Sequence, residues 1–234
     1  IPKQLASLSM LKSLSFDTNN LMGGIPPFIG NLSSLQLISA ADNVLGGHIP
    51  DALGQLQSLK YLGLGGNKLS GLVPPSLYNL SSIIIFSLAK NEISGSLPSD
   101  LFLTLPRLQW FQIDRNQFTG SLPVSLSNAS ELELFLIEEN NFTGKVSVNF
   151  GSLQRLEKLI VDRNNLGSGD ADEMDFFQSL ANCSNLQILD IRANQFKGTL
   201  FNTLGNLQPY LGFLQLAKIL FLERSLQGWV IWST

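Results

Sequence analysis

Eight asparagines, Asn19, Asn43, Asn67, Asn91, Asn116, Asn140, Asn164 and Asn194, follow one another at steps of 24 residues, broken by one step of 25 and one of 30. Each holds the same place in a skeleton whose clearest copy is Leu56 to Pro74, LQSLKYLGLGGNKLSGLVP, or L-x-x-L-x-x-L-x-L-x-x-N-x-L-x-G-x-V-P. A sustained period of this length argues against one central core. It describes a solenoid, in which each unit is a coil that buries its apolar face against its neighbours. About three stacked units suffice for a continuous core, so the middle of the array is expected to be ordered.

One coil can be read residue by residue. In Tyr61-Leu62-Gly63-Leu64-Gly65, apolar residues alternate with others, which predicts a short strand with Leu62 and Leu64 facing inward. Asn67 then leaves the strand, and its amide carries two donors and an acceptor for backbone groups freed where adjacent coils turn. Each such group left unpaired costs about 1–3 kcal/mol, which makes an interior asparagine acceptable. Gly71 and Pro74 punctuate the return path, one by its free dihedrals and the other by a fixed φ and a missing donor.

The array is expected to span residues 1–216 as about eight full coils with partial ones at both ends, followed by an irregular tail at 217–234 where the register is lost. Ragged ends without polar caps suggest a piece of a longer array. The sixth coil replaces the apolar-Pro pair with Val146-Ser147, predicting a looser outer side. After the seventh comes an insertion, Gly167 to Asp175, with acids Asp170, Asp172, Glu173 and Asp175. Asp175 and Gln178 resemble a capping box that opens a short helix, and the acids lack the spacing of a calcium loop.

Composition narrows the function. A net charge of −3 gives no basic footprint, so nucleic acid is not an expected partner. The single cysteine, Cys183, reads as a buried thiol, and the single histidine, His48, has no partner at a catalytic spacing. No apolar run reaches the roughly 20 residues of a spanning helix. Gly63 to Gly66 reads as a strand edge, not a phosphate cradle. No catalytic residue, metal site or cofactor is expected.

Function is therefore expected on strand positions that the coil does not need for its core, which line up on a concave sheet. Tyr61, Ile85, Trp110, Leu134, Leu136 and Ile160 fall side by side there, an apolar strip of the sort that marks binding sites. Gln112, Lys158, Asp114, Glu138 and Asp162 complete the candidate ligand-binding set. With Glu139, the acids favour a ligand with basic groups, tempered by Arg115, Lys158 and Arg163. Asn-x-Ser/Thr sequons at Asn31, Asn79, Asn128, Asn141 and Asn182 are candidate glycosylation sites, although four share one repeat position and Asn141 adjoins a ladder residue.

The extended pattern, with Ile25-Pro26 through Leu35 and Val73-Pro74 through Ile83, resembles the plant-specific class of leucine-rich repeat. Asp170-Ala171-Asp172 through Asp175-Phe176, then Ser179-Leu180-Ala181-Asn182-Cys183-Ser184, resembles receptor-like kinases of the flagellin-receptor and rice bacterial-blight-receptor subfamily. The resemblance implies an α/β repeat solenoid: a right-handed superhelix with a parallel concave β-sheet and 3-10 or short helices and loops on the convex side. It also implies a non-enzymatic ectodomain on the extracellular side of the plasma membrane, perceiving pathogens or peptides by binding a peptide or protein ligand and pairing with a co-receptor kinase. The kinase, membrane helix and signal peptide of that family have no counterpart in these residues. Two alternatives are a secreted inhibitor of a cell-wall-degrading enzyme, which uses the same coils, and a non-functional truncated product.

Overall fold

The computed structural model describes residues 1–167, 174–196 and 211–215. The acid-rich residues 168–173, the eighth-coil glycine Gly198 and the 217–234 tail lie outside them. Each coil contributes one short strand to a parallel sheet, nine strands among the described residues, in chain order from Ser13–Ser15 to Phe213–Gln215. The strand in the type copy is Tyr61–Gly63, two residues shorter than the alternation predicts. Pairing nevertheless continues past it: Leu64 N donates to Ser87 O at 2.9 Å and Gly66 N to Ala89 O at 2.8 Å.

The inward residues make a core that runs along the solenoid. Phe86, Phe111 and Phe135 stack from coil to coil with ring centroids 5.7 and 5.8 Å apart, and Phe102 meets the last two edge-on. All four are fully buried, as are Leu62, Leu88 and Leu159. Removing one such ring is expected to cost about 3–5 kcal/mol.

The asparagines bond as a file. In Asn67, Nδ2 donates to Ala40 O of the preceding coil at 2.9 Å and to its own Leu64 and Gly65 carbonyls, while Oδ1 accepts from Leu45 N at 3.0 Å. Asn140 does the same with Ile113 O, Ile137 O, Glu138 O and Phe118 N. Asn19 is the exception: it is exposed, and its side chain bonds only to Phe16 O and Asp17 O of its own coil.

Two backbone features were not signalled by periodicity. The residue before each ladder asparagine is left-handed, with φ near 50–66°: Thr18, Asp42, Gly66, Lys90, Arg115, Glu139, Arg163 and Ala193. Only one of the eight is glycine, so the strained turn, costing roughly 1–2 kcal/mol for a residue with a Cβ, leaves almost no mark in sequence. The second feature is another parallel sheet, of seven strands among the described residues, running from Met22–Gly23 to Asn165–Leu166 along the flank that leads from the ladder to the convex side.

The convex side carries five-residue 3-10 turns such as Pro27–Asn31 and Asp51–Gln55, whose N-caps, Pro26 and Pro50, hold φ near −70°. These turns pack closely: a Cβ on Gly30 would lie 2.1 Å from Ala52 O, and one on Gly54 2.3 Å from Ser76 Cβ. In the third coil Tyr78 takes that glycine's place and stacks on Phe86. The next turn is the α-helix Leu101–Thr104, which uses the one extra residue of the 25-residue step.

One expectation is refined and one changes. The sixth coil has a shorter outer turn, Phe150–Ser152; Val146, Val148 and Phe150 are buried, yet a cavity of about 430 Å³ lined by Lys145 to Asn149, Phe176, Gln178, Ser179 and Asn182 lies against this turn, in keeping with a looser outer side. The helix after the insertion spans Met174–Leu180, which places Asp175 inside its first turn instead of at the cap.

Candidate functional site

Strand pairing puts the concave residues into columns. In the first, Ser13, Leu37, Tyr61, Ile85, Trp110, Leu134, Lys158 and Ile188 are successive cross-strand partners. The second contains Ser39, Gly63, Ser87, Gln112, Leu136, Ile160 and Asp190. A third, Asp114, Glu138, Asp162 and Arg192, is held level by Arg115 N donating to Glu138 O, Glu139 N to Asp162 O and Arg163 N to Arg192 O. All eleven candidate ligand-binding residues therefore share this inner face.

Their exposure differs. Trp110 is 37% exposed, while Tyr61, Ile85, Leu134, Leu136, Ile160, Gln112 and Lys158 are half-buried. The Trp110 indole N–H donates to Glu133 Oε2 of the next coil at 3.1 Å. Tyr61 lies over Gly63, where a Cβ would come within 2.6 Å of the ring and 3.0 Å of the phenol oxygen. Gly63 is thus a bed for an aromatic ring, a role its neighbouring glycines had obscured.

The acids are less exposed than alternation predicts. Asp114, Asp162 and Asp190 are buried, and Glu138 is half-buried. Burial, reinforced by the charges of Asp114 and Asp162, pushes the Glu138 carboxyl up to about 7. Burial also raises Asp114, Asp162 and Asp190 above the usual carboxylate range, against the opposing pull of nearby arginines. Glu138 Oε2 and Asp162 Oδ2 are buried and accept no hydrogen bond.

Two of the basic residues expected to offset these acids, Arg163 and Arg115, approach the same Glu139 oxygen at 2.5 and 3.6 Å. Arg163 and Arg192 each stand 3.6 Å from Asp162 Oδ2, and Arg192 pairs with Asp190 at 3.0 Å. Glu133, Glu139, Asp190 and Arg192 thus belong to this surface although the candidate set omits them. Cross-coil register by itself puts Asp190 and Arg192 in these columns; the reach of Glu133 to Trp110 depends on side-chain geometry.

The remaining candidates lie elsewhere. Asn31, Asn79 and Asn128 end convex 3-10 turns, Asn182 follows the helix Met174–Leu180, and Asn141 starts a strand of the second sheet. All five are exposed. Cys183 is buried, its thiol pushed up to about 11 by burial and facing Leu153 O at 3.3 Å. His48 is exposed, with Nδ1 3.0 Å from Ser70 O. No group of three metal-type side chains among the described residues is close enough to hold an ion, and no helix among them is long and apolar enough to cross a membrane.

Comparison with known families and structures agrees with this geometry. Leucine-rich-repeat families match residues 57–118, 10–32 and 185–207. A comparison with curated proteins gives no match. Among solved structures, the Arabidopsis receptor kinase HAESA, in complex with the peptide hormone IDA and the co-receptor SERK1, is 31% identical with a TM-score of 0.82, over 94% of this chain and 36% of that one. A TDR receptor is 28% identical with a TM-score of 0.78, over 94% and 41%. A plant ice-binding protein is 28% identical with a TM-score of 0.80, over 94% and 68%. The chain spans about two fifths of the length of the two receptors. Its coils are leucine-rich repeats, and the solenoid they build is one also found in plant receptor-kinase ectodomains.

Proposed function

We propose that this chain is a ligand-recognition segment of a plant receptor-kinase ectodomain. It binds a peptide, or an extended loop of a protein, on the strip made by Tyr61, Ile85, Trp110, Leu134, Leu136 and Ile160. A co-receptor kinase is the second partner in this reading, which places the chain on the extracellular side of the plasma membrane. A pathogen-derived ligand and the flagellin-receptor and rice bacterial-blight-receptor subfamily are its finer form, supported by the sequence resemblance from Asp170 to Ser184.

The observation that carries the proposal is Trp110, the most exposed member of the strip, standing in file with Ile85 and Leu134 on a face the core does not use. Aromatic side chains anchor interfaces when they present a large rigid surface at small entropic cost. The receptor HAESA, bound to a peptide hormone and a co-receptor, supports the class of ligand and partner. The ice-binding neighbour has a similar solenoid, so the strip's side chains, and not the coil, must carry the specificity.

Affinity selection of short linear peptides on the 234-residue chain tests this reading. Selected peptides are expected to lose binding to the Trp110→Ala and Leu134→Asp variants while the far-UV circular dichroism spectrum is unchanged. Retained binding by both variants contradicts the assignment.

A further inference from the structure

Resting on the reading of the concave sheet as a peptide-binding face, we propose that the bound peptide presents a lysine or arginine side chain to Asp114 and Glu138, in file with Asp162, beside an apolar side chain packed on Trp110, Leu134, Leu136 and Ile160.

Three consecutive coils bring these carboxylates into one file, about 4.8 Å apart by strand spacing. Like charges directly opposite one another across a sheet are destabilising, so such a file needs compensation. Asp162 has it at close range: Arg163 and Arg192 each stand 3.6 Å from its Oδ2. Arg115 and Arg163 also meet Glu139 at the rim, and Arg192 closes on Asp190 at 3.0 Å. Among the described residues Asp114 and Glu138 belong to no ion pair.

The file also holds an unused acceptor. The buried Glu138 Oε2 accepts no hydrogen bond and lies in no ion pair among the described residues, whereas Asp162 Oδ2, also without a hydrogen bond, faces Arg163 and Arg192. Buried polar atoms are nearly always paired, so the Glu138 oxygen points to a donor that arrives with the ligand. An ammonium brings three donors, and a guanidinium brings five in a planar fork able to engage adjacent carboxylates. A shared metal ion is disfavoured, since no three such groups among the described residues are close enough to hold one. Leu136 and Glu138 lie two residues apart along one coil, roughly 6.6 Å at strand rise. An extended ligand would therefore place its apolar and basic side chains two or three residues apart.

The peptide selection described above distinguishes this proposal from its parent. Selected peptides should carry lysine or arginine two or three positions from an aromatic or aliphatic residue. Replacing that basic residue by glutamine should weaken binding about tenfold, since hydrogen bonds to charged groups are worth more than neutral ones. The near-isosteric variants Glu138→Gln and Asp114→Asn should cause a similar loss. If a carboxylate variant fails to fold, replacing the basic residue by glutamate in the peptide decides the matter on the unmodified chain, with loss of binding expected. Peptides that need Trp110 but are indifferent to their own charge overturn the electrostatic assignment and leave the peptide-binding reading standing. Selection of no peptide at all removes both.

Discussion

The indole N–H of Trp110 donates to Glu133 of the following coil at 3.1 Å, tying the edge of the most exposed member of the apolar strip to its neighbour. Trp110 begins one strand and Glu133 immediately precedes the next, so coil spacing brings them together although 23 residues separate them. The bond restricts the ring without covering its face. A held aromatic ring loses less entropy on binding than a mobile one.

Glu133→Ala should therefore weaken peptide binding by roughly 1 kcal/mol, about fivefold, with no change in thermal midpoint. Fluorescence anisotropy with a labelled selected peptide measures it. An affinity equal to the parent's would mean that the bond does not orient the ring.

The asparagine file should be uneven in its energetic weight. Asn140→Ala removes one accepted and three donated bonds in a buried setting and leaves backbone groups of two coils unpaired, for a loss of about 3 kcal/mol. Asn19→Ala, which removes a side chain exposed and bonded only within its own coil, should lose under about 1 kcal/mol. Urea denaturation of both variants provides the comparison.

Stability should fall as pH rises from 5 to 8. The folded Glu138 carboxyl is pushed up to about 7, well above its ordinary value, so between those limits the folded chain holds more protons than the unfolded one. The contribution is complete below the ordinary carboxylate range and is lost as pH climbs through 7. Asp114, Asp162 and Asp190 are shifted in the same direction. Thermal midpoints across this range should decline, and Glu138→Gln should reduce the slope; a rising midpoint would contradict the assigned shifts.

If the chain passes through a secretory route, Asn31, Asn79, Asn128, Asn141 and Asn182 are all exposed for glycan attachment. Expression in plant cells should yield a mass excess that a glycosidase removes. None of the five lies on the concave sheet, so enzymatic removal should leave peptide affinity unchanged.

Much of this architecture was legible in the amino-acid sequence because one coil repeats one set of constraints. Apolar spacing placed Leu62, Phe86, Phe111 and Phe135 inside, and the same counting placed Tyr61, Ile85, Trp110 and Leu134 in register. What escaped depends on relations between coils. The left-handed turn is invisible where Arg115 or Glu139 occupies it, because the asparagine file holds a conformation that local preference would refuse. The burial of Asp114 and Asp162 escaped for a related reason: strict alternation ends with the strand, and beyond Gln112 and Ile160 the chain curves toward the core. Charge counting set Arg115, Lys158 and Arg163 against the acid row, whereas geometry brings Arg115 and Arg163 together on Glu139, with Arg163 also 3.6 Å from Asp162.

The central claim is that the inner sheet grips a peptide through Trp110, and its own fluorescence tests this most directly. The chain's other tryptophans are Trp229 and Trp232, so the variant Trp229→Phe/Trp232→Phe reports Trp110 alone. Adding a selected peptide should shift its emission to shorter wavelength and protect it from iodide quenching, with the same saturation curve as binding. Emission and quenching that stay unchanged while the peptide saturates the chain would contradict the account.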